Sequence, residues 1–96
     1  MNIIILDGRE LTDQETAHKY FKKIFDLSDT YGNNLDALWD MLTENDEKII
    51  IRILYKKTIE QNLGDYGKDI IQLFEDLSKE CKNYSIEYPI CQDELK

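Results

Sequence analysis

The sequence predicts an α/β domain: a small three-stranded parallel sheet, order 2-1-3, packed with about four helices. Three observations carry this expectation. Isoleucine-rich apolar runs alternate along the chain with segments of helical periodicity, the pattern of a parallel sheet with its crossover helices. The 96 residues amount to one domain, 1–96, and a fold of that size buries roughly 60–70% of its unfolded surface. With 42% hydrophobic and 33% charged residues, the composition is that of an ordinary globular chain with enough apolar material for one core.

The elements follow in order. Ile3-Ile4-Ile5-Leu6 is continuously apolar, which predicts a strand covered on both faces and placed in the middle of the sheet. Asp7-Gly8 is a turn. Thr12 and Glu15 have capping-box spacing, and the helix after them gathers Ala17, Tyr20, Phe21, Ile24 and Phe25 on one face. His18 reads as a residue of that helix's surface. Tyr31-Gly32-Asn33 is turn chemistry, since glycine tolerates positive φ and asparagine bonds back to its own backbone. Asn34 is a good N-cap for a second helix, in which Leu35, Leu38, Trp39 and Leu42 fall at i, i+3, i+4 and i+7.

Ile49 to Leu54 is a second, β-branched strand. Lys56 to Leu63 forms a short helix stopped by Gly64, and Ile70, Ile71, Phe74, Leu77 and Cys81 mark a longer amphipathic one. Tyr84, Ile86, Tyr88 and Ile90 alternate with Ser85, Glu87 and Pro89, a strand with one buried face. Pro89 confines it to an edge, because proline cannot donate to a ladder. Gln92 to Lys96 reads as a frayed tail.

Charge is the most informative feature. Between Ile24 and Glu47 there is no Lys or Arg, while Asp26, Asp29, Asp36, Asp40, Glu44, Asp46 and Glu47 are all acidic. The net charge is −8, and outside this block 12 basic groups nearly balance 13 acidic ones. Localised charge of this kind speaks to partners rather than to fold. Asp36 and Asp40 sit at i, i+4 on one helix flank. Asp36 gains from the helix dipole, but the pair repel each other by roughly 0.2–0.5 kcal/mol. Stability alone would favour Lys at position 40, so the compensating cation is expected from another molecule.

The run Tyr31-Gly32-Asn33-Asn34-Leu35-Asp36-Ala37-Leu38-Trp39-Asp40, followed by Leu42-Thr43, resembles the signature of the barstar family, inhibitors of barnase-type ribonucleases. Asp7-Gly8, His18 with Phe21-Lys22-Lys23, and Gln72-Leu73-Phe74 extend the resemblance along most of the chain. The resemblance implies the same α/β fold and a non-enzymatic role. It implies that Asp40 enters the phosphate pocket of a ribonuclease, and that Asp36 meets the arginine and backbone donors of its base-recognition loop. Gly32, Asn34, Ala37 and Thr43 would supply close approach and shape, with Trp39 at the border of the contact; Leu35 packs first and is counted among the contact residues. Asp76 on the last helix matches an acidic residue that reaches a partner arginine. Thr30 departs from the family, standing where barstar has a tyrosine that packs on the enzyme's catalytic histidine.

The partner so implied is a secreted or toxin-type ribonuclease with a basic active site, met by a monomer in a 1:1 complex. Charge complementarity would steer that encounter toward about 10⁸–10⁹ per molar per second at low salt. Other chemistries find little support. No nucleophile or base lies beside Asp36 and Asp40, no glycine-rich phosphate loop is present, and the calcium-like spacing of Asp26, Ser28 and Thr30 fails where Tyr31 occupies the glycine position. Neither a cofactor nor a metal is expected. A pI near 4.5 argues against direct nucleic-acid binding. No apolar run approaches a membrane span, no export signal is visible, and Cys81 and Cys91 read as reduced thiols, so the expected location is cytoplasmic. The rival reading is an acidic interaction module for some other basic protein.

Overall fold

A computed structural model describes residues 2–89. Strand β1 (Asn2–Asp7) leads through a 3₁₀ turn (Gly8–Glu10) into α1 (Gln14–Ile24) and α2 (Leu35–Thr43). Strand β2 (Ile49–Leu54) is followed by α3 (Lys56–Leu63), α4 (Asp65–Glu80) and β3 (Tyr84–Glu87). The expected α/β class, parallel sheet and four helices are all present. The predicted Ile90 and Cys91, and the tail from Gln92, lie outside the described residues.

The strand order differs from the expected 2-1-3. It is β1-β2-β3, with Ile4 opposite Ile51 and Ile51 opposite Ile86, so β2 and not β1 is central. One physical fact explains both this and a second correction. When successive right-handed crossovers step the same way across a sheet, their helices fall on the same face. Only one face is then covered. On it lie Ile4 and Leu6 of β1, Ile49, Ile51 and Ile53 of β2, and Tyr84 and Ile86 of β3. On the other, Ile3 and Ile5 are 50% and 44% exposed, so β1 is not the doubly buried strand that its composition suggests. Its outer edge is partly closed instead by Tyr20, whose hydroxyl accepts from the Asp7 N–H at 3.0 Å and donates to the Ile5 carbonyl at 3.3 Å.

Beneath the sheet the core is aromatic at its centre. Phe74 of α4 packs edge-on to Phe21 of α1 at 6.0 Å and stacks on Phe25 at 5.9 Å. Helix α1 is capped by Asp13 and not by the expected Thr12. The Asp13 carboxylate accepts from the Thr16 N–H at 2.8 Å, and these bonds hold its carboxyl below the usual carboxylate range. An ionised acceptor outcompetes a hydroxyl there and also meets the positive end of the helix. Helix α3 ends where expected, at Gly64 with φ +58°. Helix α4 packs tightly against it: a Cβ on Gly67 would lie 2.6 Å from the Ile59 carbonyl oxygen. Strand β3 is an edge, as expected, but ends two residues before Pro89, and Tyr88 is 38% exposed. Cys81, the C-cap of α4, forms no disulfide among the described residues. No helix among them is long and apolar enough to cross a membrane.

Candidate partner-binding face

Helix α2 begins as its sequence dictates. The Asn34 side chain accepts from the Ala37 N–H at 2.8 Å and donates to the Gly32 carbonyl at 3.3 Å, so one residue caps the helix and ties down the loop before it. In that loop the positive φ belongs to Asn33, at +56°, not to Gly32 as the turn chemistry suggested. Asparagine tolerates that region by bonding locally. Nothing among the described residues demands a glycine at 32. An added Cβ would find only ordinary contacts, the Ala37 Cβ at 3.4 Å and the Asn34 amide nitrogen at 3.5 Å.

The apolar stripe of α2 divides in two. Leu38 and Leu42 are buried in the core, whereas Leu35 and Trp39 are half-buried at its margin. Thr43 turns its hydroxyl inward, donating to the Trp39 carbonyl at 2.8 Å and the Asp40 carbonyl at 3.1 Å. Asp36 and Asp40 are exposed on the same helix, one turn apart. Thr30 is exposed at the loop's start, its hydroxyl 2.6 Å from that of Ser28.

Leu35, Asp36 and Trp39 form one wall of a cleft of about 310 Å³, and Asp69, Gln72, Leu73, Asp76 and Glu80 of α4 form the other. The expected Asp36, Trp39, Leu35 and Asp76 are therefore brought together. Asp40, Thr30, Gly32, Asn34, Ala37 and Thr43 lie along α2 and its loop without lining the cleft. Asp69 and Glu80 were not anticipated. Their signal was available: positions 69, 72, 73, 76 and 80 recur at helical spacing beside the buried stripe of α4. The cleft has an apolar floor and four carboxylates, and no ion pair engages any of them among the described residues. Gln72 donates to Asp76 at 2.9 Å and holds that carboxylate in place.

The acidic block does not form a single patch. Asp26, Glu44 and Glu47 border a separate, larger cleft of about 770 Å³ at the amino ends of the strands. Asp29 is paired with Lys22 at 3.0 Å. Folding thus separates the block, and the carboxylates of α2 are joined by those of α4.

His18 is corrected most sharply. Expected on the helix surface, it is 2% exposed, with Nδ1 hydrogen-bonded to the Tyr31 hydroxyl and Nε2 to the Tyr66 hydroxyl. Burial pushes the imidazole pKa below its usual value and raises both phenols. The spacing held the clue, because His18, Phe21 and Phe25 stand at i, i+3 and i+7.

Comparison with known proteins identifies the family. The family model described as "Barstar (barnase inhibitor)" matches residues 1–91. A Bacillus subtilis (strain 168) protein named "Putative ribonuclease inhibitor YrdF" is 34% identical over 84 residues, covering 86% of this chain and 92% of its own length. The chain belongs to the barstar family.

Proposed function

We propose that this protein inhibits a barnase-type, guanyl-preferring ribonuclease, without catalysis of its own, by inserting the carboxylates of α2 into the enzyme's active site. Family membership and the named relative support a ribonuclease as the partner. The observation that carries the mode of action is the pair Asp36 and Asp40, exposed one turn apart with no cation of the chain engaged to either among the described residues. A ribonuclease site holds a phosphodiester among cationic donors, and carboxylates placed where phosphates sit occupy it without offering a cleavable bond. Asp40 fills the phosphate position and Asp36 meets the base-recognition loop. Thr30, Gly32, Asn34, Ala37 and Thr43 shape the approach along α2 and its loop, and Leu35 and Trp39 give it an apolar border. Asp76, with Asp69 and Glu80, receives a cationic side chain in the α2/α4 cleft, whose Leu35, Trp39 and Leu73 suit an aliphatic stem.

The test is RNA cleavage by a barnase-type ribonuclease titrated with this protein and with Asp40→Ala. Stoichiometric inhibition that weakens sharply in the variant is the expected result. A folded protein that leaves cleavage untouched at excess overturns the reading and leaves the acidic face to a different basic partner.

A further inference from the structure

We propose that the hydrogen-bonded chain Tyr31–His18–Tyr66 positions the loop that precedes α2, and that adding a proton to His18 releases that loop. The inference rests on the reading of α2 as the binding helix for its consequence, though not for its structural content.

Three elements meet at the imidazole. His18 comes from α1, Tyr66 from the first turns of α4, and Tyr31 from the loop three residues before the Asn34 cap. Tyr31 is only 6% exposed, so it is the buried anchor of an otherwise exposed segment, Gly32 to Asn34. A neutral imidazole has one N–H donor and one acceptor nitrogen. One tyrosine must therefore give its hydroxyl proton to the ring while the other receives one from it. The chain has a direction, and only while the ring is neutral does one of the two hydroxyl protons find an acceptor in it. An imidazolium donates from both nitrogens, so the tyrosine that had been donating must turn its proton elsewhere. Neither hydroxyl has another acceptor among the described residues.

The charge itself also lacks compensation. On α1, Glu15 and Lys19 flank the ring but pair with each other at 3.2 Å, and Lys22 pairs with Asp29. From the loop come Tyr31 and the uncharged Asn33, and from core-facing α1 the Phe21 ring, edge-on at 5.7 Å. From α4 come Tyr66 and, beyond it, Asp69, whose charge acts on the Tyr66 phenol. No carboxylate makes an ion pair with His18 among the described residues. A proton has a route to the ring, because His18 lines a cleft of about 370 Å³ with Gln14, Glu15, Lys19 and Asn33. Asn33 of the loop thus lines the same cleft as the ring.

The sign follows from linkage. Burial lowers the folded-state pKa of His18 below 6.5, so the contribution of the neutral ring is complete above that pH and is lost as the pH falls beneath it. One proton can change the equilibrium by up to about tenfold per pH unit.

The experiment follows the His18 ring and the backbone amides of residues 32–37 by NMR from pH 7.5 to 5.0. It uses the wild-type chain, His18→Gln and Tyr66→Phe. Glutamine offers a donor and an acceptor but does not titrate. The expected result is that the amides of Gly32, Asn33 and Asn34 move with the same midpoint as the His18 ring. In His18→Gln they stay flat, and in Tyr66→Phe the two midpoints shift together. In parallel, inhibition of a barnase-type ribonuclease weakens between pH 7.5 and 5.5 by up to about tenfold more for wild type than for His18→Gln. Loop amides that ignore the His18 titration, or that drift equally in His18→Gln, overturn the proposal. If His18→Gln does not fold, the wild-type titration and Tyr66→Phe still decide it. A ribonuclease that is never inhibited refutes the proposed function while the NMR arm stands.

Discussion

Two populations of carboxylates in this chain have different surroundings. Asp7 binds Arg9 at 2.8 Å, Glu15 meets Lys19, Asp29 meets Lys22, and Glu87 on β3 meets Arg52 on β2 at 2.8 Å. Around α2 and its cleft, Asp36, Asp40, Asp69, Asp76 and Glu80 engage no cation among the described residues. Exposed ion pairs contribute little to stability, typically about 0–1 kcal/mol, so the first population is not what holds the fold. The contrast is informative for another reason. The set around α2 faces solvent without a cation of the chain beside it, so a basic partner can supply one there.

The widest separation between the two populations is expected in the complex. Asp40→Ala should weaken inhibition of the partner ribonuclease by about 2–5 kcal/mol, because the cationic pocket is left with its own charges unpaired. Glu87→Ala removes the same unit of charge from the bare face of the sheet and should leave the inhibition constant nearly unchanged. Glu47, at the amino ends of the strands, belongs with Glu87 in this respect. The measurement is the inhibition constant of the three variants at one salt concentration. Near-equal losses would reduce the difference between the populations to net charge alone.

A smaller effect is expected inside the α2/α4 cleft. Asp76→Asn and Glu80→Gln each keep side-chain shape and remove a charge at the rim. Each should lower the association rate by less than about tenfold and flatten its salt dependence, with dissociation little changed. Stopped-flow association at two ionic strengths checks this. A loss expressed mainly in dissociation would move the residue into the same class as Asp40.

How much of this was legible in the sequence depended on whether the determinants were local. The Asn34 cap, the stripe of α2, the Gly64 stop and the run of β2 are set within a few residues, and each was read from them. The strand order was not, because it depends on which way each crossover steps, and a continuous apolar run such as Ile3 to Leu6 fits a central strand or a half-bare edge equally well. Asp36 and Asp40 were legible as a pair without a local cation. Asp69 and Glu80 became part of the same site only when α4 was laid beside α2. His18 was misread because a titratable residue on a helix was weighed by polarity, when Tyr31 and Tyr66, 13 and 48 residues away, provide the partners that make its burial tolerable.

The smallest predicted effect runs in the opposite direction. In the free protein Asp40→Lys should stabilise the fold, by about 0.5–1 kcal/mol, since it removes a like-charge i, i+4 pair and creates a favourable one with Asp36 ahead of the cation. Helix α2 has no basic residue in its last turn, so a lysine near that end also meets the negative pole of the helix. Urea unfolding of the two proteins at low salt measures it, and the gain should shrink at high salt. An unchanged or lower midpoint would mean that some internal interaction already favours an anion at 40, and the division between the two populations would fail at its most important member. A higher midpoint, together with lost inhibition, would leave nothing inside the chain to account for aspartate at that position. The only interaction it serves would then lie across the interface.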